Sequence, residues 1–312
     1  MVYLIILVIH LIMLTILPPA AWIGNKAVVF PLLVFNFSIY FLFFERKMVR
    51  FLQSKKISIP LIMVGAICLS SGFYFLVQQS LPWSEFVKIV LIYAIPSLML
   101  LLTKNKLNSF HPIDFIVFLA IFIPLEINWV AVPLVYIKKL ITFDGVFSVS
   151  VLFVLFTYLV NRQIDMGFSL VFDKKHWTET FILTAMLIVL EVLLGTQFHF
   201  LTFSGWHIDY KNAFILAVFM FFNAALLEEI FFRGLIYNYL AQFIGEGRLF
   251  LPLLLNTLLF GLTHLNNGGM PMFLLSSLAG FVYCLIYIRT KNIFCATFSH
   301  AMTNMVWMLF FI

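Results

Sequence analysis

The sequence predicts an all-α, polytopic membrane protein, a bundle of about eleven transmembrane helices. Three observations point there. Of its 312 residues, 63% are hydrophobic and 10% charged, with 39 phenylalanines, which is more apolar surface than a soluble fold of this length buries. Apolar runs near the roughly 20 residues needed to cross a bilayer recur along the chain. The period-2 alternation of a membrane barrel is missing, which leaves helices to satisfy the backbone in lipid.

The first run, MVYLIILVIHLIMLTILPPAAW, has no basic flank and no A-x-A-type cleavage site. It reads as a retained span near 2–22 rather than a cleaved leader. Further spans are expected near 27–44, 58–78, 86–103, 114–136 and 146–161. The longest polar interruption, NRQIDMGFSLVFDKKHW at 161–177, divides the chain near residue 170. Residues 1–170 then form an N-terminal bundle of about six spans. Residues 171–312 hold five more, near 178–197, 212–243, 249–265, 272–288 and 292–312. No repeat with a period of 20–50 residues is visible.

Orientation follows from Lys and Arg in alternate loops. With a cytoplasmic N-terminus, the cytoplasmic side takes thirteen, among them Arg46, Lys47, Arg50, Lys55, Lys56, Arg162, Arg248 and Arg289. The opposite side takes Lys26, Lys138, Lys139 and Lys211. The Lys138–Lys139 pair is the discordant item. The net charge of +6 is scattered over these loops, so it sets topology and does not point to nucleic acid. Cys68, Cys284 and Cys295 lie in apolar runs without a CxxC pair, as buried small hydrophobes do.

Against this background the stretch LLEEIFFRG, residues 226–234, is anomalous. A charge at mid-bilayer costs roughly 2.5–3.5 kcal/mol even on the gentlest insertion scale. On a helix Glu229 and Arg233 are i,i+4 and face one another, whereas Glu228 is rotated about 100° away. Glu229–Arg233 therefore reads as a structural pair, and Glu228 is left over. The next span ends FGLTHL, with His264 four residues after Phe260 on one face. The last span carries SHAMTN, with His300 and Asn304 i,i+4. A carboxylate, two imidazoles and an amide on three helices suit hydrolysis. The carboxylate takes a proton from water, and His and Asn donate to the oxyanion. Equally, His264 and His300 with a Glu suit a zinc ion with one open position. The residues leave both open. HExxH, GxGD and GxSxG are absent. Glu126 and Glu191 also fall in predicted spans, lining the same cavity or paired structurally.

These residues, EExxxR (Glu228, Glu229, Arg233), FxxxH (Phe260, His264) and HxxxN (His300, Asn304), resemble the CPBP family. These are intramembrane endopeptidases, also called the CAAX-protease and bacteriocin-processing, or Abi, family. The resemblance covers about residues 175–312. It implies an all-helical core with a polar cavity opening toward the membrane–water interface. Glu228 would activate water together with His264, His300 and Asn304 would support the oxyanion or a metal, and Glu229, Arg233 and Phe260 would give structural support. Family members are described both as metalloproteases and as glutamate-dependent proteases, so zinc and a metal-free site both stand as expectations. The expected protein is a multi-pass endopeptidase of a bacterial cytoplasmic membrane, N-terminus inside, acting on a peptide or membrane protein. Two other readings belong to different classes: an inactive immunity or scaffold protein of the same fold, and a proton-coupled transporter relaying through Glu126, Glu191 and Glu228. The transporter reading calls for inverted repeats, and none is visible.

Overall fold

A computed structural model describes residues 38–103, 107–131, 135–137, 141–171, 173–206, 208, 210–245 and 248–311. The first expected span, near 2–22, and the first part of the second, near 27–44, lie outside the described residues, as do Lys26, Lys138 and Lys139. Helices dominate. Five are long and apolar enough to cross a membrane: Ile59–Gln78, Trp83–Leu101, Lys174–Gln197, Leu265–Thr290 and Ile293–Phe310. Shorter apolar helices at Gly145–Asn161 and Phe250–Thr263 accompany them. The protein is an integral membrane protein with a helical-bundle architecture.

One expected span is corrected. The run 114–136 gives a helix only over Asp114–Glu126. Asn128 then turns in the left-handed region (φ 53°), and Val135–Ile137 pairs antiparallel with Ile141–Phe143 in a short hairpin. Short apolar runs rich in β-branched residues fit helix or strand equally by pattern, and here the turn decides.

The chain divides into two compact units, Met1–Asp165 and Met166–Ile312. In the first, Ile59–Gln78 packs against both Trp83–Leu101 and Gly145–Val154. Gly145 makes the second approach possible, because a Cβ there would fall 2.2 Å from the Phe73 ring. Tyr93 ties the three helices with a polar contact, its hydroxyl 2.7 Å from Ser70 Oγ and 3.1 Å from Ser150 Oγ. Arg162, counted above as a loop cation, is instead buried and paired with buried Asp114. Asp114 also accepts from Tyr158 Oη and the His111 amide. Glu126 ends its helix half-buried in this unit.

The second unit contains a continuous helical run from Tyr210 to Ile244. Its turns alternate: α over Tyr210–Phe219, π over Met220–Ala225, α over Leu226–Glu229, π over Ile230–Tyr237, and α over Asn238–Ile244. The expected single long span is present, but Glu228 and Glu229 occupy one α turn held between two π stretches. The π geometry displaces carbonyls from the usual ladder, and side chains meet two of them: Asn256 Nδ2 donates to Phe232 O and Asn238 Nδ2 to Gly234 O, at 2.7 and 2.9 Å. Helices Phe250–Thr263 and Leu265–Thr290 pack closely. Near the start of the second the chain kinks at Gly268–Gly269, where Gly269 (φ 65°, ψ −151°) occupies a region essentially reserved for glycine. Thr184 Oγ1, 2.8 Å from Ser299 Oγ, joins Lys174–Gln197 to the last helix. Cys284 and Cys295 are buried as expected, whereas Cys68 is exposed.

Candidate active site

Glu229 and Arg233 lie at the centre of the second unit, both fully buried. Arg233 Nη1 donates to Glu229 Oε1 at 2.9 Å, as the i,i+4 spacing requires, and Nη2 donates to Gly280 O at 2.9 Å. The guanidinium also lies over the Phe260 ring, 4.6 Å from its centroid, which spreads the buried cation over an aromatic face. The charge of Glu229 is thus matched within one helical turn, and that of Glu228 is not.

His300 enters from the last helix. Its Nδ1 lies 2.9 Å from Glu229 Oε1. A carboxylate oxygen accepts, so Nδ1 is the donor in this contact, and Nε2 is the ring nitrogen turned away from Glu229. That nitrogen faces Glu228 Oε2 at 3.8 Å, beyond hydrogen-bond reach. Glu228 Oε2 is itself buried without a hydrogen-bond partner among the described residues, although the side chain as a whole is 26% exposed. These two atoms face one another at the edge of solvent access. Asn304 sits one turn beyond His300 and is half-buried.

His264 terminates Phe250–Thr263. Its Nδ1 is 3.0 Å from Phe260 O and 3.0 Å from Thr263 Oγ1. A carbonyl can only accept, so here too Nδ1 is the donor and Nε2 is left free. Both imidazoles lie against the Phe260 ring, His264 tilted at 4.8 Å and His300 edge-on at 5.7 Å between centroids. Phe260 thereby gathers Arg233, His264 and His300 about one phenyl group.

Each imidazole has one nitrogen already engaged by a protein acceptor. Among the described residues no three His, Cys, Asp or Glu side chains group so as to hold a metal ion. In each ring the other nitrogen stays open, an orientation that serves a metal ligand as well as a metal-free site.

Residues 210–306 match the family model described as type II CAAX prenyl endopeptidase, Rce1-like. The matched range includes Glu228, Glu229, Arg233, Phe260, His264, His300 and Asn304. A Bacillus subtilis (strain 168) protein named "Putative membrane peptidase YdiL" is 33% identical over 79 residues, which is 25% of this chain and 30% of that protein. The alignment thus spans less than a third of that relative's length. No solved structure gives a significant match.

Sequence reasoning missed several parts of the site within the matched segment. The Tyr283 ring stacks on His300 with centroids 4.6 Å apart and planes at 16°, and it also lies under Arg233. Gly280 both supplies the carbonyl for Arg233 and makes room for Phe260. The available signal was the spacing of Gly280, Tyr283 and Tyr287, which places all three on one face of the helix. Glu191, already singled out in the sequence, lies outside the matched range and is buried on Lys174–Gln197, with Oε2 lacking a hydrogen-bond partner among the described residues. A Cβ on Gly280 would come 2.8 Å from Phe260 Cδ1. Gly280→Ala should therefore cost about 1–3 kcal/mol, the usual penalty for overpacking. A lowered thermal midpoint in detergent would show this, and an unchanged midpoint would contradict the packing described.

Proposed function

We propose that the chain is a membrane-embedded endopeptidase that hydrolyses peptide bonds of a membrane-associated protein or peptide, with residues 171–312 as its catalytic core. The observation that carries this reading is the unpartnered Glu228 Oε2 facing the free Nε2 of His300 across 3.8 Å. In the proposed reaction the His300 ring is neutral, and one water between the two atoms donates a hydrogen to each.

Glu228 takes a proton from that water, and the hydroxide attacks the scissile carbonyl carbon. The Asn304 amide donates to the oxyanion that forms, and His264, when it binds a second proton at Nε2, supplies another donor. Glu228 then returns its proton to the amine nitrogen as the C–N bond breaks. His300 is oriented by Glu229, whose charge Arg233 balances, so these residues act by positioning. Tyr283 and Phe260 hold the ring in plane.

The Rce1-like match supports a CAAX-type protease in general terms, and the substrate follows from neither geometry nor match. A cytoplasmic N-terminus, on the charge bias of the loops, and a bacterial inner membrane complete the proposal. The experiment compares protein N-termini in membranes from cells carrying the native chain, no chain, or a His264→Ala chain. New N-termini produced by the native chain alone support the reading. Identical N-termini in all three would overturn it.

The metal question has its own test. If the reaction runs on Glu228 without a metal, the detergent-purified protein should carry zinc far below one atom per chain, and a chelator should leave cleavage unchanged. Near-stoichiometric zinc lost in a His264→Ala, His300→Ala double variant would reverse this and restore the metalloprotease alternative.

A further inference from the structure

The first unit holds a cavity that takes no part in the proposed chemistry. It lies between Ile59–Gln78 and the helix that begins at Gly145, and has a volume of about 310 Å³, within the range of small-molecule sites. Leu61, Gly65 and Leu69 line one side and Val149, Phe153 and Phe156 the other. Leu61 and Leu69 are 63% and 47% exposed, so the cavity is a groove open along the side of a membrane-crossing helix. A Cβ at Gly65 would meet no atom within 4 Å. The lining offers almost no polar atom, which disfavours a peptide, whose backbone needs partners in an apolar setting.

One end of the groove is cationic. Ile57 belongs to the lining, and its carbonyl accepts from Asn161 Nδ2 at 2.7 Å. Gln53 Nε2 donates to Leu159 O at 3.0 Å, which pins the end of the short helix Arg46–Ser54 beside it. No residue of that helix is buried. Arg46, Lys47, Arg50, Lys55 and Lys56 are all exposed, and they immediately precede the membrane-crossing helix. Basic clusters in this position attract anionic lipid headgroups, and a short helix charged on one face lies in the interface plane.

We propose that this groove binds one anionic phospholipid of the surrounding bilayer. An acyl chain runs along Leu61, Gly65 and Leu69, and the phosphate meets Arg50, Lys55 and Lys56. Apolar groove and cationic cluster are complementary to the two ends of one amphiphile, and each alone would be unremarkable.

Native mass spectrometry of the full chain tests this, after reconstitution in phosphatidylglycerol and phosphatidylcholine of identical acyl chains. The native chain should retain phosphatidylglycerol at least tenfold over phosphatidylcholine. It should also retain the long-chain form at least tenfold over dihexanoyl phosphatidylglycerol, a comparison that needs no variant. An Arg50→Gln, Lys55→Gln, Lys56→Gln chain should lose the headgroup preference, on the order of 100-fold for three cations. Gly65→Leu, which fills the groove, should release the lipid with the cations intact. Equal retention of the two headgroups by the native chain would overturn the site. A native level of retention in Gly65→Leu would do the same, leaving only charge attraction at the surface.

Discussion

Glu228→Gln should lower the rate of peptide cleavage by roughly 10²- to 10⁴-fold, the usual contribution of a positioned general base, while leaving the fold intact. The amide keeps the size and one acceptor of the carboxylate but cannot take a proton from water. Because Glu228 is partly exposed and makes no ion pair within hydrogen-bond distance, the replacement removes no structural contact. The measurement is single-turnover cleavage of an identified substrate by purified chain, alongside a thermal melt in the same detergent. A large loss of rate with an unchanged melt is expected. If Glu228→Gln cleaves at the native rate, Glu228 is not the base, whatever the other residues do.

Arg233→Ala should act through stability. It leaves Glu229 buried with its strongest partner gone and frees Gly280 O as an unpaired acceptor. Removing one member of a buried ion pair costs roughly 3–5 kcal/mol, a large share of the stability of most domains. The expected outcome is a sharply lower thermal midpoint and poor recovery from the membrane. Arg233→Lys should rescue little, because one ammonium on a flexible stem does not reproduce two donors in a rigid fork. A Glu229→Leu, Arg233→Leu chain separates the two roles of the pair. Without a stranded charge it should regain stability over Arg233→Ala, and with His300 no longer anchored at Nδ1 it should not regain cleavage. Recovery of both would reduce the pair to packing alone.

The site was legible in part because helical spacing is a local property. The pairing of Glu229 with Arg233 and the shared face of His300 and Asn304 follow from i,i+4 geometry within one segment, and the family resemblance rests on those residues. The bond from His300 to Glu229 joins residues 71 apart in sequence, and no periodicity reports it. Tyr283 was hidden differently. Among Phe, Val, Cys and Leu an aromatic ring carries no mark that it will lie parallel to an imidazole. The helical class followed from composition, yet the run 114–136 shows the limit of reading length from hydropathy. Apolar content continues past Glu126, while the backbone turns at Asn128 and pairs as strands. Arg162 shows the same limit for charge, since a cation beside a polar stretch was counted with the loops and is instead buried against Asp114.

The π turns on either side of Glu228 and Glu229 bear on how this helix tolerates length change. Each accommodates more residues per revolution than an α turn, so the carboxylates are phased against their own helix by surplus residues on both sides. Deleting one residue from Met220–Ala225 would let that stretch relax to the α repeat and could be absorbed with little change at the helix ends. The same deletion from a plain α segment would swing everything beyond it by about 100°. The helix is thus buffered in register: a chain one residue shorter there can still present both glutamates to His300. An alignment that forbids such a gap would misplace them.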